Sequence, residues 1–102
     1  MNKILYSPEA LQDLDDIGDY IAEELSSPQA AFKLLTEITA SIDFLQANPL
    51  MGANISALAD IVSDVRYLVV KKYLVFYRFH KNTIFIDRII YSRRNYLSIL
   101  LE

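Results

Sequence analysis

The last third of the chain alternates apolar runs with two-to-three-residue polar breaks. RYLVV at 66–70 is followed by KK, YLVFYRF at 73–79 by HKN, and TIFIDRIIY at 83–91 by SRRNY. Apolar runs of this length, rich in β-branched and aromatic residues and broken by short polar turns, predict three strands joined by hairpins. Asn82 suits a left-handed turn position. The first half has a different period. Ala10, Leu11, Leu14, Ile17, Gly18 and Ile21 recur at helical spacing, and Ala31, Leu35, Ile38, Ile42 and Leu45 do the same further on. Ser7-Pro8 and Ser27-Pro28 each place an N-cap before a first-turn proline. Helices are therefore expected over about 8–25 and 28–47, the second stopped by Asn48-Pro49. Only a few residues separate them, so they should form an antiparallel hairpin. NKILY at 2–6 is a short strand candidate, and ISALADIV in the 49–65 connection suggests a helical turn. The fold class expected is α+β: an N-terminal strand, a helical hairpin and a three-stranded antiparallel meander, with the hairpin on one face of a mainly antiparallel sheet of about four strands.

The expected core is Leu11, Leu14, Ile17, Ile21, Leu35, Ile38, Ile42 and Leu45, with Val75 or Phe76 and Ile84 or Ile86 from the strands. In the strand at 73–79, Tyr73, Val75, Tyr77 and Phe79 share one face, while Leu74, Phe76 and Arg78 share the other. Both faces are apolar, and two helices cover only one. The second is covered by the chain's own C-terminus, by a partner, or by neither, and the tail NYLSILLE is apolar enough to supply part of that cover.

The 102 residues fit one domain spanning 1–102. There is no cysteine, so thiolate chemistry and disulfides are excluded, and a single histidine with no ligand cluster suggests no metal and no cofactor. The N-terminus has no signal-peptide pattern and no segment is long and apolar enough for a membrane span, so a cytoplasmic location is expected. The net charge of −3 hides an asymmetry: two lysines and ten acids over 1–61, eight basic residues and three acids over 62–102. Asp13, Asp15, Asp16, Asp19 and Glu23 are expected on the solvent face of the first helix. Lys71 and Lys72 are expected to form a soluble turn. The acidic total weighs against strong non-specific nucleic-acid binding.

The cations inside and just beyond the strands are the candidate chemistry. Arg66, Arg93 and Arg94 flank adjacent strands and are expected to project at one sheet edge, with Arg78 near them. Guanidinium groups pair with phosphates or with carboxylates of a protein target. Arg66 and Arg78 also have a structural alternative, pairing with Asp64 and Asp87. Tyr91 and Tyr96 join the candidate binding set, with packing as their alternative role.

YSPEALQDLDDIGDYI at 6–21, NPLMG at 48–52, YLVFYRF at 73–79 and RIIYSRRNY at 88–96 together resemble the RelE/ParE superfamily of bacterial toxins, with the ParE branch closer. The resemblance spans nearly the whole chain. It implies the toxin of a type II toxin–antitoxin (plasmid stabilisation or addiction) module, neutralised by a cognate antitoxin. ParE-like members poison DNA gyrase, and RelE-like members cleave mRNA on the ribosome without a metal. On the RNase pattern Arg66 and Arg94 match catalytic cations and Tyr96 is a loose counterpart of a C-terminal tyrosine. The central-strand arginine of that pattern is Leu74 here. A degenerate toxin that acts only as a binding module is a further reading.

Overall fold

The computed structural model describes residues 1–101. The elements run β1 (Lys3–Tyr6), α1 (Pro8–Glu24), α2 (Pro28–Phe44), β2 (Ala53–Asn54), a 3₁₀ turn (Ile55–Ala57), β3 (Arg66–Val70), β4 (Tyr73–His80), β5 (Thr83–Tyr91) and α3 (Tyr96–Leu100). The sheet order is β1-β5-β4-β3-β2. The meander β3-β4-β5 is antiparallel, while β1 lies parallel to β5. The hairpin, the meander and the N-terminal strand agree with the sequence expectation. The sheet has five strands instead of about four, because β2 adds a two-residue edge to β3.

Both helices start as predicted. Ser7 Oγ accepts the Ala10 N–H at 2.9 Å and Ser27 Oγ accepts the Ala30 N–H at 3.2 Å, each ahead of a proline. Between the helices the chain closes α1 with a two-bond cap. The Ser27 N–H reaches the Ala22 carbonyl and the Ser26 N–H reaches that of Glu23, with Ser26 at φ 47°. That is the position glycine usually takes. Helix α2 stops at Phe44, ahead of the Asn48-Pro49 signal. The next turns tighten to three-residue bonds, Leu45 N–H to Ile42, Gln46 to Asp43 and Asn48 to Leu45.

The hairpin packs on one sheet face. Ile38, Ile42, Leu45, Val75, Tyr77, Ile84 and Ile86 are fully buried there, and Leu14, Ile21 and Leu35 pack at its margin. Leu11 corrects the expected core: it is 52 % exposed, and its neighbour Ala10 holds the buried position. Gly18 allows the two helices to approach, since a Cβ there would lie 3.0 Å from Leu35 Cδ1. On the second face Leu74, Phe76, Ile90 and Ile55 form a separate cluster. As the apolar tail implied, α3 covers it, with Tyr96, Leu97, Ile99 and Leu100 packed against these residues.

Candidate functional site

Strand register decides which cations meet. Val70 pairs with Tyr73, and Tyr73 with Tyr91, so the Lys71–Lys72 turn and the segment after β5 share one end of the sheet. The Ser92 N–H donates to the Lys72 carbonyl at 2.8 Å, which ties the two together. Lys71, Lys72, Arg93 and Arg94 are all exposed. Lys71 makes a 3.5 Å ion pair with Glu37. Among the described residues, Arg93 and Arg94 make no side-chain hydrogen bond or ion pair.

Arg66 lies elsewhere. It pairs with Tyr77, which pairs with Ile86, four strand positions from the Val70 level. At the usual rise that is about 13 Å along the strand. Arg66 therefore does not share one edge with Arg93 and Arg94, which corrects the expected grouping. The reason is the direction of β3, which enters the sheet at the opposite end from where β5 leaves it. Its expected partner also differs. Arg66 Nη1 donates to the Gly52 carbonyl at 2.7 Å and to the Leu50 carbonyl at 3.4 Å, with no bond to Asp64 found among the described residues.

Arg66 works with Tyr77 as a clamp on the 49–52 loop. Tyr77 Oη donates to the Pro49 carbonyl and accepts the Gly52 N–H, both at 2.9 Å. Burial pushes the Tyr77 phenol above its ordinary value, while the Gly52 N–H and the Arg66 charge pull it back. Gly52 is required by close approach: a Cβ there would lie 2.7 Å from the Tyr67 carbonyl oxygen and from the Tyr77 ring.

Arg78 takes its structural alternative. It binds Asp87 in bidentate fashion at 2.8 and 3.0 Å and lies 5.2 Å from the centre of the Phe85 ring. The Asp87 hydrogen bonds raise its guanidinium pKa against the opposing effect of burial. A bulge makes this pair: Phe76 faces Arg88 and Tyr77 faces Ile86, so Asp87 has no opposite number. Tyr91 and Tyr96 pack. Tyr91 meets Tyr73 edge-on at 5.7 Å between ring centres, and Tyr96 lies tilted on Phe76 at 5.7 Å.

The basic end borders a groove of about 480 Å³ lined by Tyr20, Ile21, Leu25, Leu34, Tyr73 and Tyr91, with Lys71, Lys72 and Glu24 on its walls. Burial is the main cause that raises the Tyr73 phenol, and Tyr91 and Tyr20 add to it. Lys71 and Lys72, expected as a plain soluble turn, therefore stand on the wall of a groove that the sequence pattern does not show. The hydrophobic pattern alone does not carry the register that brings that turn to Arg93 and Arg94. The surface can hold an anionic partner that also has apolar bulk. Among the described residues no group of three His, Cys, Asp or Glu side chains is placed to hold a metal, and no helix is long and apolar enough to cross a membrane.

The chain is thus a small α+β domain, a helical hairpin on one face of a short meander, with exposed arginines where the last strand ends. Residues 4–96 match the family of the ParE toxin of the type II toxin–antitoxin system parDE, and the chain belongs to that family. It is also similar to a solved chain of the chromosomal ParDE toxin–antitoxin system from P. aeruginosa. The two are 26 % identical with a TM-score of 0.76, over 91 % of this chain and 98 % of the other. No curated protein sequence matches it.

Proposed function

We propose that this ParE-family chain arrests growth by ParE-like interference with DNA gyrase in the cytoplasm, and that a cognate antitoxin neutralises it. The observation that carries the choice of target is the state of the RNase positions. Leu74, where the RNase branch has its central cation, is 7 % exposed and packed in the second apolar cluster. Arg66 is committed to the Gly52 and Leu50 carbonyls and lies far along the sheet from Arg94. Phosphodiester cleavage needs cations converging on one phosphate, and these two do not converge. The exposed basic end, with its apolar groove, suits instead a protein surface carrying carboxylates.

Inducing the chain alone, without its antitoxin, tests the reading. A gyrase poison raises the DNA-damage response and traps cleaved DNA. Ribosome-dependent mRNA cleavage, the RelE-like alternative, stops translation in a reconstituted system and leaves cuts at ribosomal A sites. Cuts without trapped DNA would reverse the choice of target.

A further inference from the structure

The groove at the basic end has two rims of opposite charge. On the sheet side stand Lys72, Arg93 and Arg94, all exposed and held together by the Ser92-to-Lys72 main-chain bond. On the helix side stand Asp16, Glu23 and Glu24, also exposed. They lie three or four residues from Tyr20 in the chain, so they flank it on the same face of α1. None of these charged side chains makes an ion pair among the described residues. Within one copy the two rims leave each other's charge unanswered across the groove.

Between the rims the surface is apolar. Tyr20 is 59 % and Leu25 61 % exposed, and Tyr91 is half-buried beside them. Tyr73 also lines the groove. It is only 8 % exposed, yet its hydroxyl has no hydrogen-bond partner among the described residues. A buried phenol without an acceptor is completed from outside. Charge selects what enters. A nucleic acid or a wholly acidic peptide answers the basic rim and is repelled by Glu23 and Glu24. A second copy answers both rims. When a two-fold axis runs along the apolar strip, the acids of one copy lie on the cations of the other, and the same contact repeats in reverse.

We infer that two copies of this chain associate through the groove as an isologous dimer. Tyr20 and Leu25 of each copy enter beside Tyr73 and Tyr91 of the other, and Glu23 and Glu24 of each face Lys72 and Arg94 of the other. The dimer covers Arg93 and Arg94. If these arginines meet the target, as the reading above has it, the dimer is a form of the toxin with its basic end masked; the association itself does not depend on that reading.

Sedimentation of the isolated full chain, from micromolar to submillimolar concentration, tests the inference. The chain should pass from monomer to dimer as concentration rises, and less readily in high salt, which screens the rims. Tyr20→Ala, at an exposed position, should weaken the dimer about tenfold or more by removing its aromatic anchor. Two charge variants separate this contact from any other. Glu23→Lys with Glu24→Lys, and Lys72→Glu with Arg94→Glu, should each be monomeric alone with unchanged circular dichroism. Mixed together they should form a one-to-one heterodimer, because the reversed rims again face opposite charge. A parent chain that stays monomeric throughout overturns the inference. So does a dimer that both charge variants retain, which assigns association to another face, and so do variants that fail to pair when mixed. In a monomeric chain, loss of antitoxin binding in Tyr20→Ala would give the groove to the antitoxin, and loss of growth arrest with antitoxin binding kept would give it to the target; either outcome replaces the occupant proposed here.

Discussion

Arg88 of β5 holds Asp13 of α1 through two bonds, Nε to Oδ2 at 2.8 Å and Nη2 to Oδ1 at 2.9 Å, and the same carboxylate accepts the Ile89 N–H at 2.8 Å. Asp13 was expected in the solvent-facing acidic stripe, where Asp15, Asp16, Asp19 and Glu23 do lie. It is withdrawn because β1 pairs with β5 only as far as Ile86. Beyond that point β5 has a bare edge, and the start of α1 covers it: the Ser7 hydroxyl donates to the Asp87 carbonyl at 2.7 Å and Asp13 accepts the Ile89 N–H. The Asp13 side chain is only 11 % exposed. Asp13→Ala removes the acceptor for three donors and should cost about 2–4 kcal/mol in urea unfolding, below the full penalty of a deeply buried pair because Arg88 keeps some solvent contact. A cost under half a kcal/mol would show that the pair contributes nothing net.

Gly52→Ala and Tyr77→Phe should each destabilise the protein by about 1–3 kcal/mol, the first through overlap with the Tyr67 carbonyl and the second by leaving a buried N–H without an acceptor. Both open the same loop, so the double variant should cost less than the sum. Additive costs in a double-mutant cycle would mean that the loop and the tyrosine are independent.

The hydrophobic periods carried the element order and the two apolar sheet faces, and the Ser-Pro caps carried both helix starts, because each depends on local spacing. The site was less legible. Pairing Arg66 with Arg93 and Arg94 used their nearness to strand ends but not which ends, and register is a tertiary property. The bulge at Asp87 is likewise invisible to strict alternation: it shifts TIFIDRIIY by one, so that Ile84, Ile86 and Ile89 all reach the helix-side core. Arg78 with Asp87 was foreseeable, since the two sit on facing strands. Arg88 with Asp13 was not, since it depends on where β1 stops.

Ser26 occupies a left-handed position at φ 47° with its side chain in solvent. That conformation costs a non-glycine residue roughly 1–2 kcal/mol, and glycine gives back about 0.4–1 kcal/mol through its freer unfolded chain. Ser26→Gly should therefore raise stability by about 0.5–1 kcal/mol. The urea midpoint should move up at constant slope, and a lower midpoint would mean that the Ser27-to-Ala22 cap does not form in solution.

Tyr6 gives the protein an alkaline limit. Burial, with a smaller contribution from the Asp43 carboxylate, pushes its phenol up to about 12 from the ordinary 10.0. The folded state thus favours the neutral phenol. The stability tied to that preference is fully present below pH 10 and is lost as pH rises through about 12, because the unfolded chain releases its proton first. Melting temperature should fall over that window, and Tyr6→Phe should flatten the fall. An ordinary midpoint for Tyr6 in a spectrophotometric titration of the folded protein would remove the cause.

The two groups of arginines, separated along the sheet, should fail in different ways. Arg66→Ala takes away the donor that holds the Gly52 and Leu50 carbonyls. Charged hydrogen bonds of this kind are worth about 1.5–3 kcal/mol, so this variant should melt earlier, and any loss of toxicity should track the loss of fold. Arg93 and Arg94 are exposed and make no side-chain bond among the described residues. The double variant Arg93→Ala, Arg94→Ala should keep its urea midpoint within about half a kcal/mol of the parent and yet lose growth arrest. Lys71→Ala with Lys72→Ala, at the same end of the sheet, should weaken arrest as well. Circular dichroism and antitoxin binding measured on each variant separate a lost surface from a lost fold. Full toxicity of a folded Arg93, Arg94 double variant would move the target contact away from the basic end, to the exposed faces of α1 and α2.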